Sequence, residues 1–279
     1  MKDIMRELQA HKKEAEQLEN GTYRPIYIAL QGSQNYNLET ENSDIDTKVI
    51  TLPSLSQIIK NGKPTSFTHV RANDEHIDMK DVRLMFECFK KQNINFIEIL
   101  FTDYYFVMND KYKSLLEELR NHAEEIAVLN PYRAIKCMKG MAFEKYNALC
   151  HPYPAKIDII NKYGYDGKQL HHLLRLEYFL DMYRYMITSP DAEVKYRSIL
   201  RSGFMSYTKR ADLKLIKENK FYSLDEAKEV AEKTLSSVVT MADNACASLK
   251  DKNNKETEKL LDDILYRIMK QALADELNN

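Results

Sequence analysis

Between residues 31 and 46 the chain reads QGSQNYNLETENSDID. Gly32 and Ser33 follow PIYIALQ (25–31), a continuous apolar run that reads as a strand buried on both faces. A glycine at that point lets the backbone turn tightly and approach an anion. Ser33 adds a hydroxyl, and the N–H groups of a short helical turn complete a nest suited to phosphate. After a ten-residue spacer come Asp44 and Asp46, at the head of a second strand, IDTKVITL (45–52). At i and i+2 of extended chain both carboxylates leave the same face. Two hard oxygen ligands placed there suit Mg²⁺ beside phosphates. Each half also has a plain structural alternative: G-S is a common dipeptide, and S-D-I-D could be a turn leading into a capped strand.

The elements that must position these residues follow from periodicity. Ile4, Met5, Leu8, Ala15 and Leu18 mark a helix over 2–19, closed by Asn20-Gly21. TSFTHV (65–70) and EHIDMK (75–80) are further short strands, so four strands crowd the first 80 residues. Asp81 caps a helix whose apolar face is Val82, Met85, Phe86 and Phe89, with Asn93 ending it and Asn95 capping the next turn. Asn130-Pro131 opens another helix, broken by His151-Pro152-Tyr153-Pro154. A helix runs from about Gly167 to Ile187, Ser223 and Glu226 form a capping box, and KETEKLLDDILYRIMKQALADEL is an amphipathic C-terminal helix after the polar hinge DKNNK. The expected class is α+β, a small mixed-sheet unit over 1–108 followed by a mainly helical part over 109–279.

Composition narrows the possible partners. The 279 residues carry 41 basic and 42 acidic side chains, so no global field attracts nucleic acid or an anionic membrane, and any such partner needs a local patch. The N-terminus is charged and no window approaches a membrane span of roughly 18 apolar residues. Four scattered cysteines without C-x-x-C spacing suggest reduced thiols, so a cytoplasmic protein is expected.

G-S, a ten-residue spacer and D-I-D between two strands together resemble the signature of the DNA polymerase beta nucleotidyltransferase superfamily. Two further stretches narrow the resemblance. FKKQNINFIEILF (89–101) is similar to the "kgNPn-lE-Lf" element, and YGYDGKQLHHLLRL (163–176) to the "YD-K-x-x-x-H-x-x-R" segment, of a bacterial and phage family of predicted nucleotidyltransferases. The chain departs from that pattern at Ile94, where proline is usual, and at Gly167, where threonine is common; neither position supplies a metal ligand. The resemblance reaches to about residue 180.

It implies a polymerase-beta-like catalytic domain in which Gly32 and Ser33 bind the triphosphate while Asp44 and Asp46 hold Mg²⁺ or Mn²⁺. It also implies a third carboxylate on a neighbouring strand, which helps deprotonate the incoming nucleophile and is a further ligand of the catalytic metal. Asp78, between Ile77 and Met79, is chosen over Asp81, which suits a helix cap, and over Asp74 and Glu75, which lie nearer the turn. Lys168, His172 and Arg175, at i, i+4 and i+7 of one helix with His171 alongside, are expected to contact phosphate or acceptor, against the alternative of a solvated surface face. Tyr36 either stacks on a base or packs beneath the G-S turn.

The expected activity is transfer of a nucleoside monophosphate from an NTP to an acceptor hydroxyl on RNA or a tRNA end, a small molecule or a protein. The rival is a non-catalytic nucleotide sensor or the regulatory member of a toxin and antitoxin pair. The apolar stripe of the C-terminal helix offers a surface for pairing with a second copy.

Overall fold

The computed structural model describes residues 3–19, 23–60, 62–189 and 193–277. Asn20 and Gly21, the expected end of the first helix, lie outside them. Asp3 accepts the Arg6 N–H and opens α1 (Ile4–Gln17), which turns Leu8, His11 and Ala15 inward. The chain continues through β1 (Arg24–Gln31), β2 (Asp46–Leu52), α2 (Leu55–Ile59), β3 (Ser66–Val70) and β4 (His76–Asp81). Next come α3 (Val82–Lys90), α4 (Ile94–Ile97), β5 (Tyr105–Val107), α5 (Lys113–Asn121) and α6 (Ala123–Ala127).

The five strands form a mixed sheet in the order β3-β4-β2-β1-β5, with β2 and β4 parallel and the other neighbours antiparallel. Leu8 and Ala15 of α1 cover one face through Ile28, Val49, Ile77 and Met79. Strand alternation sends Asp46, Lys48 and Asp78 to the other face, where Phe96 of α4 lies against Lys48. β2 is buried along nearly its whole length, where its sequence alternates polar with apolar residues: Thr47 and Thr51 are inside as well.

Asp81 caps α3 as expected, its side chain accepting the Arg83 N–H, and Val82, Met85, Phe86 and Phe89 are buried. The next cap differs from the expectation. α3 closes at Lys91, Gln92 takes a left-handed φ of 57°, and Asn93 itself opens α4 by accepting the Asn95 N–H at 3.1 Å. Gln92 can be buried in that turn because its side-chain amide donates to the carbonyls of Phe89 and Ile126.

A second set of helices comprises α7 (Pro131–Ala148), α8 (Ile157–Tyr163), α9 (Gly167–Thr188), α10 (Tyr196–Leu200), α11 (Tyr207–Lys217) and α12 (Leu224–Ser248). α7, α9 and α12 pack on one another, α11 packs on α9, and the Ser223–Glu226 capping box opens α12. The C-terminal helix α13 (Lys255–Leu277) packs instead on α3 and α5. Its Leu261, Ile264, Ile268 and Ala272 are buried, so the stripe expected to face a second copy is covered within the chain.

Two compact units result. One is Met1–Asn35, Glu41–Asn130 and Asn253–Asn279; the other is Tyr36–Thr40 with Pro131–Lys252. The division therefore falls near Asn130 rather than 108, and α13 belongs with the sheet, because α5, α6 and α13 bury their apolar faces there. No helix among the described residues is long and apolar enough to cross a membrane, and the four cysteines are thiols, each partly buried.

Candidate functional site

Gln31, the last residue of β1, pairs with Asp46, the first of β2, so the segment leaving one strand adjoins the residues that open the other. Gly32 then takes φ +99°, and the Asn35 N–H closes a 3₁₀ turn over Ser33–Tyr36 onto the Gly32 carbonyl at 3.0 Å. A Cβ on Gly32 would meet nothing nearer than Gln34 Oε1 at 3.8 Å. The backbone conformation, rather than crowding, is what calls for glycine, and the space over the turn stays open. Asn35 supports the turn from the interior: its Nδ2 donates to the Leu30 carbonyl at 2.9 Å and its Oδ1 accepts the Thr102 hydroxyl at 2.7 Å.

The turn and the paired acids are joined directly. Gln34 Nε2 donates to the Asp44 carbonyl at 2.7 Å, and the Ser33 hydroxyl lies 3.3 Å from that of Ser43. Ile45 is fully buried whereas Asp44 is exposed and Asp46 half-buried, the alternation expected of two carboxylates on one face. Asp46 Oδ1 accepts the His76 backbone N–H at 2.8 Å and lies 3.2 Å from His76 Nδ1.

Asp78 occupies the expected strand and face, opposite Lys48 in the parallel β2–β4 pairing. It has a cation of its own: Lys48 Nζ lies 2.8 Å from Asp78 Oδ2 and 4.2 Å from the centre of the Phe96 ring. Lys48 and His76 are the residues of this face that the motif does not point to. Lys48 carries a legible signal, since it stands two residues after Asp46, but its partner depends on strand register. Glu75, weighed as a third ligand, is buried towards α1 with Ile77 and Met79, away from Asp46.

Among the described residues no group of three or more His, Cys, Asp or Glu side chains is placed to hold a metal ion. The expected ligands Asp44, Asp46 and Asp78 therefore do not form such a group, and the donor set to consider is the pair Asp44 and Asp46 at the head of β2. That set fits Mg²⁺ shared with the phosphates of a substrate, the usual mode for this strongly hydrated ion, and not a closed protein cage.

Lys168, His172 and Arg175 lie on α9 in the helical unit, whose N-cap Asp166 accepts the Lys168 N–H at 2.9 Å. The Arg175 guanidinium stacks 3.3 Å above the ring of Tyr36, which is itself buried; packing therefore accounts for Tyr36. Leu38 is buried in the same unit, Asn37 donates to the Arg201 carbonyl at 2.9 Å, and Glu39 pairs with Lys214 at 3.3 Å. The motif's spacer is thereby anchored. His171 is buried, with Nδ1 2.9 Å from the Leu213 carbonyl, and burial pushes it down to about 3. Burial likewise holds His172 well below its ordinary value. With both imidazoles neutral, the cationic stripe drawn from sequence reduces to Lys168 and Arg175.

No family model matches the chain, and no curated protein matches it. Among solved structures it resembles the nucleotidyltransferase-like protein from Exiguobacterium sibiricum 255-15, with 11% identity and a TM-score of 0.29 over 85% of this chain and 73% of that one.

Proposed function

We propose that the chain is an Mg²⁺-dependent nucleotidyltransferase that moves a nucleoside monophosphate from an NTP to an acceptor hydroxyl. The observation that carries this reading is the junction of the two motif halves: a glycine turn at φ +99° that follows the Gln31–Asp46 strand pair and whose Gln34 side chain donates to the Asp44 carbonyl. Gly32 and Ser33 receive the triphosphate through the turn's N–H groups and the Ser33 hydroxyl. The acceptor oxygen bonds to the α-phosphorus as the α–β bridging bond breaks. Pyrophosphate leaves, and the hydroxyl proton passes to a base on the acceptor side, to which we assign Asp78. Asp44 and Asp46 would hold the Mg²⁺, which when bound neutralises charge on the leaving pyrophosphate and acidifies the acceptor hydroxyl. Arg175, stacked on Tyr36, we assign to fixing the spacer. Lys168 and His172 are taken as anion contacts on the family resemblance.

The test is labelled transfer from each NTP in Mg²⁺ or Mn²⁺ to purified RNA, cell metabolites and the protein itself. Asp46→Asn should abolish transfer with the fold retained. Full activity of that variant, beside an active wild type, overturns the metal-ligand assignment. One observation favours a second reading, a nucleotide-binding sensor: Asp78 is already neutralised by Lys48. Nucleotide binding without metal-dependent pyrophosphate release would establish it.

A further inference from the structure

Behind β2, which opens at Asp46 two residues after Asp44, on the opposite face of the sheet, lies a buried polar network that no part of the motif accounts for. His11 projects from the apolar stripe of α1 and is fully buried. Its Nδ1 lies 3.0 Å from the Thr47 hydroxyl and its Nε2 3.2 Å from Glu75 Oε2. Glu75, 1% exposed, also accepts Arg71 Nη1 at 2.8 Å on that oxygen, while its Oε1 accepts the backbone N–H of Ile45 at 3.3 Å. Arg71 is in turn held by Glu14 of α1 at 2.5 Å.

Ile45 is the residue between the two aspartates, and Thr47 the residue after them. We infer that Glu75, with His11 and Arg71, is a positioning device that fixes the backbone of Asp44–Thr47 and so aims both aspartates at a shared phosphate-bound cation.

The chemistry of the groups supports this division of labour. Glu75 accepts from the Arg71 guanidinium, and as an acceptor it takes the hydrogen bond that His11 donates from Nε2, which leaves Nδ1 to accept one from the Thr47 hydroxyl. Burial lowers the pKa of this imidazole from its ordinary value, which favours its neutral form. Glu75 then satisfies three donors from three different places: the β3–β4 turn, α1 and the strand head. The Ile45 N–H that Glu75 holds lies at the step from the irregular segment, which carries Asp44, into β2, which opens at Asp46, so this tie sets how the two carboxylates stand relative to each other. Partners behind metal ligands commonly govern affinity in this way.

The inference rests on the reading of Asp44 and Asp46 as metal ligands, and the experiment separates the two. Mn²⁺ uptake in the presence of inorganic tripolyphosphate, followed by paramagnetic resonance, reports the site without requiring the acceptor or the correct nucleotide. Glu75→Gln puts an amide N–H against the Arg71 and His11 donors; Thr47→Val removes only the hydroxyl that His11 accepts. In folded protein each should weaken Mn²⁺ uptake, Glu75→Gln by roughly tenfold or more. Each should also speed amide exchange across 44–47. If Glu75→Gln fails to fold, Thr47→Val gives the same readout. Wild-type uptake that both variants match, with only the melting temperature lowered, overturns the positioning role alone. A wild type that takes up no Mn²⁺, or whose uptake survives Asp46→Asn, overturns the metal site and this inference with it.

Discussion

Three histidines are held neutral by burial, and each ties acidity to folding. His171 is pushed down to about 3, and His11 and His172 are also lowered. The unfolded chain, with ordinary imidazoles near 6.5, takes up protons that the folded chain refuses, so stability is complete above that pH and falls as pH drops below it. Each such histidine should remove up to about 1.4 kcal/mol per pH unit. Denaturant midpoints at pH 7.5 and 5.5 should therefore separate clearly, and a flat profile would count against burial of neutral imidazoles. The placing of Gly32 and Ser33 at a turn after one strand and of Asp44 and Asp46 at the head of the next was legible because it depends on neighbours in sequence. Lys48 beside Asp78 and Glu75 beneath Ile45 were not, since both pairings arise from strand register and a long-range turn. His11 gave one faint signal, a polar residue on the apolar stripe between Leu8 and Ala15.

At the scale of elements, glycine has different work in two helices. A Cβ on Gly167, at the start of α9, would lie 2.1 Å from the Ile216 carbonyl of α11, whereas one on Gly140 in α7 would meet nothing within 4 Å. Gly167→Ala should cost about 1–3 kcal/mol through overpacking. Gly140→Ala should stabilise by about 0.5–1 kcal/mol through helix propensity. Unfolding midpoints of the two variants should move in opposite directions. The threonine common in the resembling family cannot enter here unless α11 shifts. Helices with explicit caps, such as those opened by Asp81, Asn130-Pro131 and Ser223, were readable to within a residue or two. β5 was not, because Tyr105–Val107 is too short to show alternation and exists through its pairing with β1.

At the scale of the whole chain, an amphipathic C-terminal helix gives no clue to which core it joins. Ile264 is fully buried, Glu276 accepts the Leu55 N–H at 2.7 Å, and Asp275 pairs with Lys111 at 2.8 Å, all within the sheet-bearing unit. Ile264→Ala should lower stability by about 2–5 kcal/mol. Its sedimentation should match the wild type; a fall in oligomer size instead would assign the stripe to a second copy. Where α13 begins, Asn130 Nδ2 donates to Asn253 Oδ1 and the Asn254 N–H to the Leu129 carbonyl, both at 2.8 Å. The points at which the chain departs for the helices and comes back are thus fastened together. Residues 131–252 form a nested insert whose doorway is already shut, so evolution could lengthen, trim or exchange it without re-registering a strand. Any replacement would still have to receive the short loan of chain from Tyr36 to Thr40.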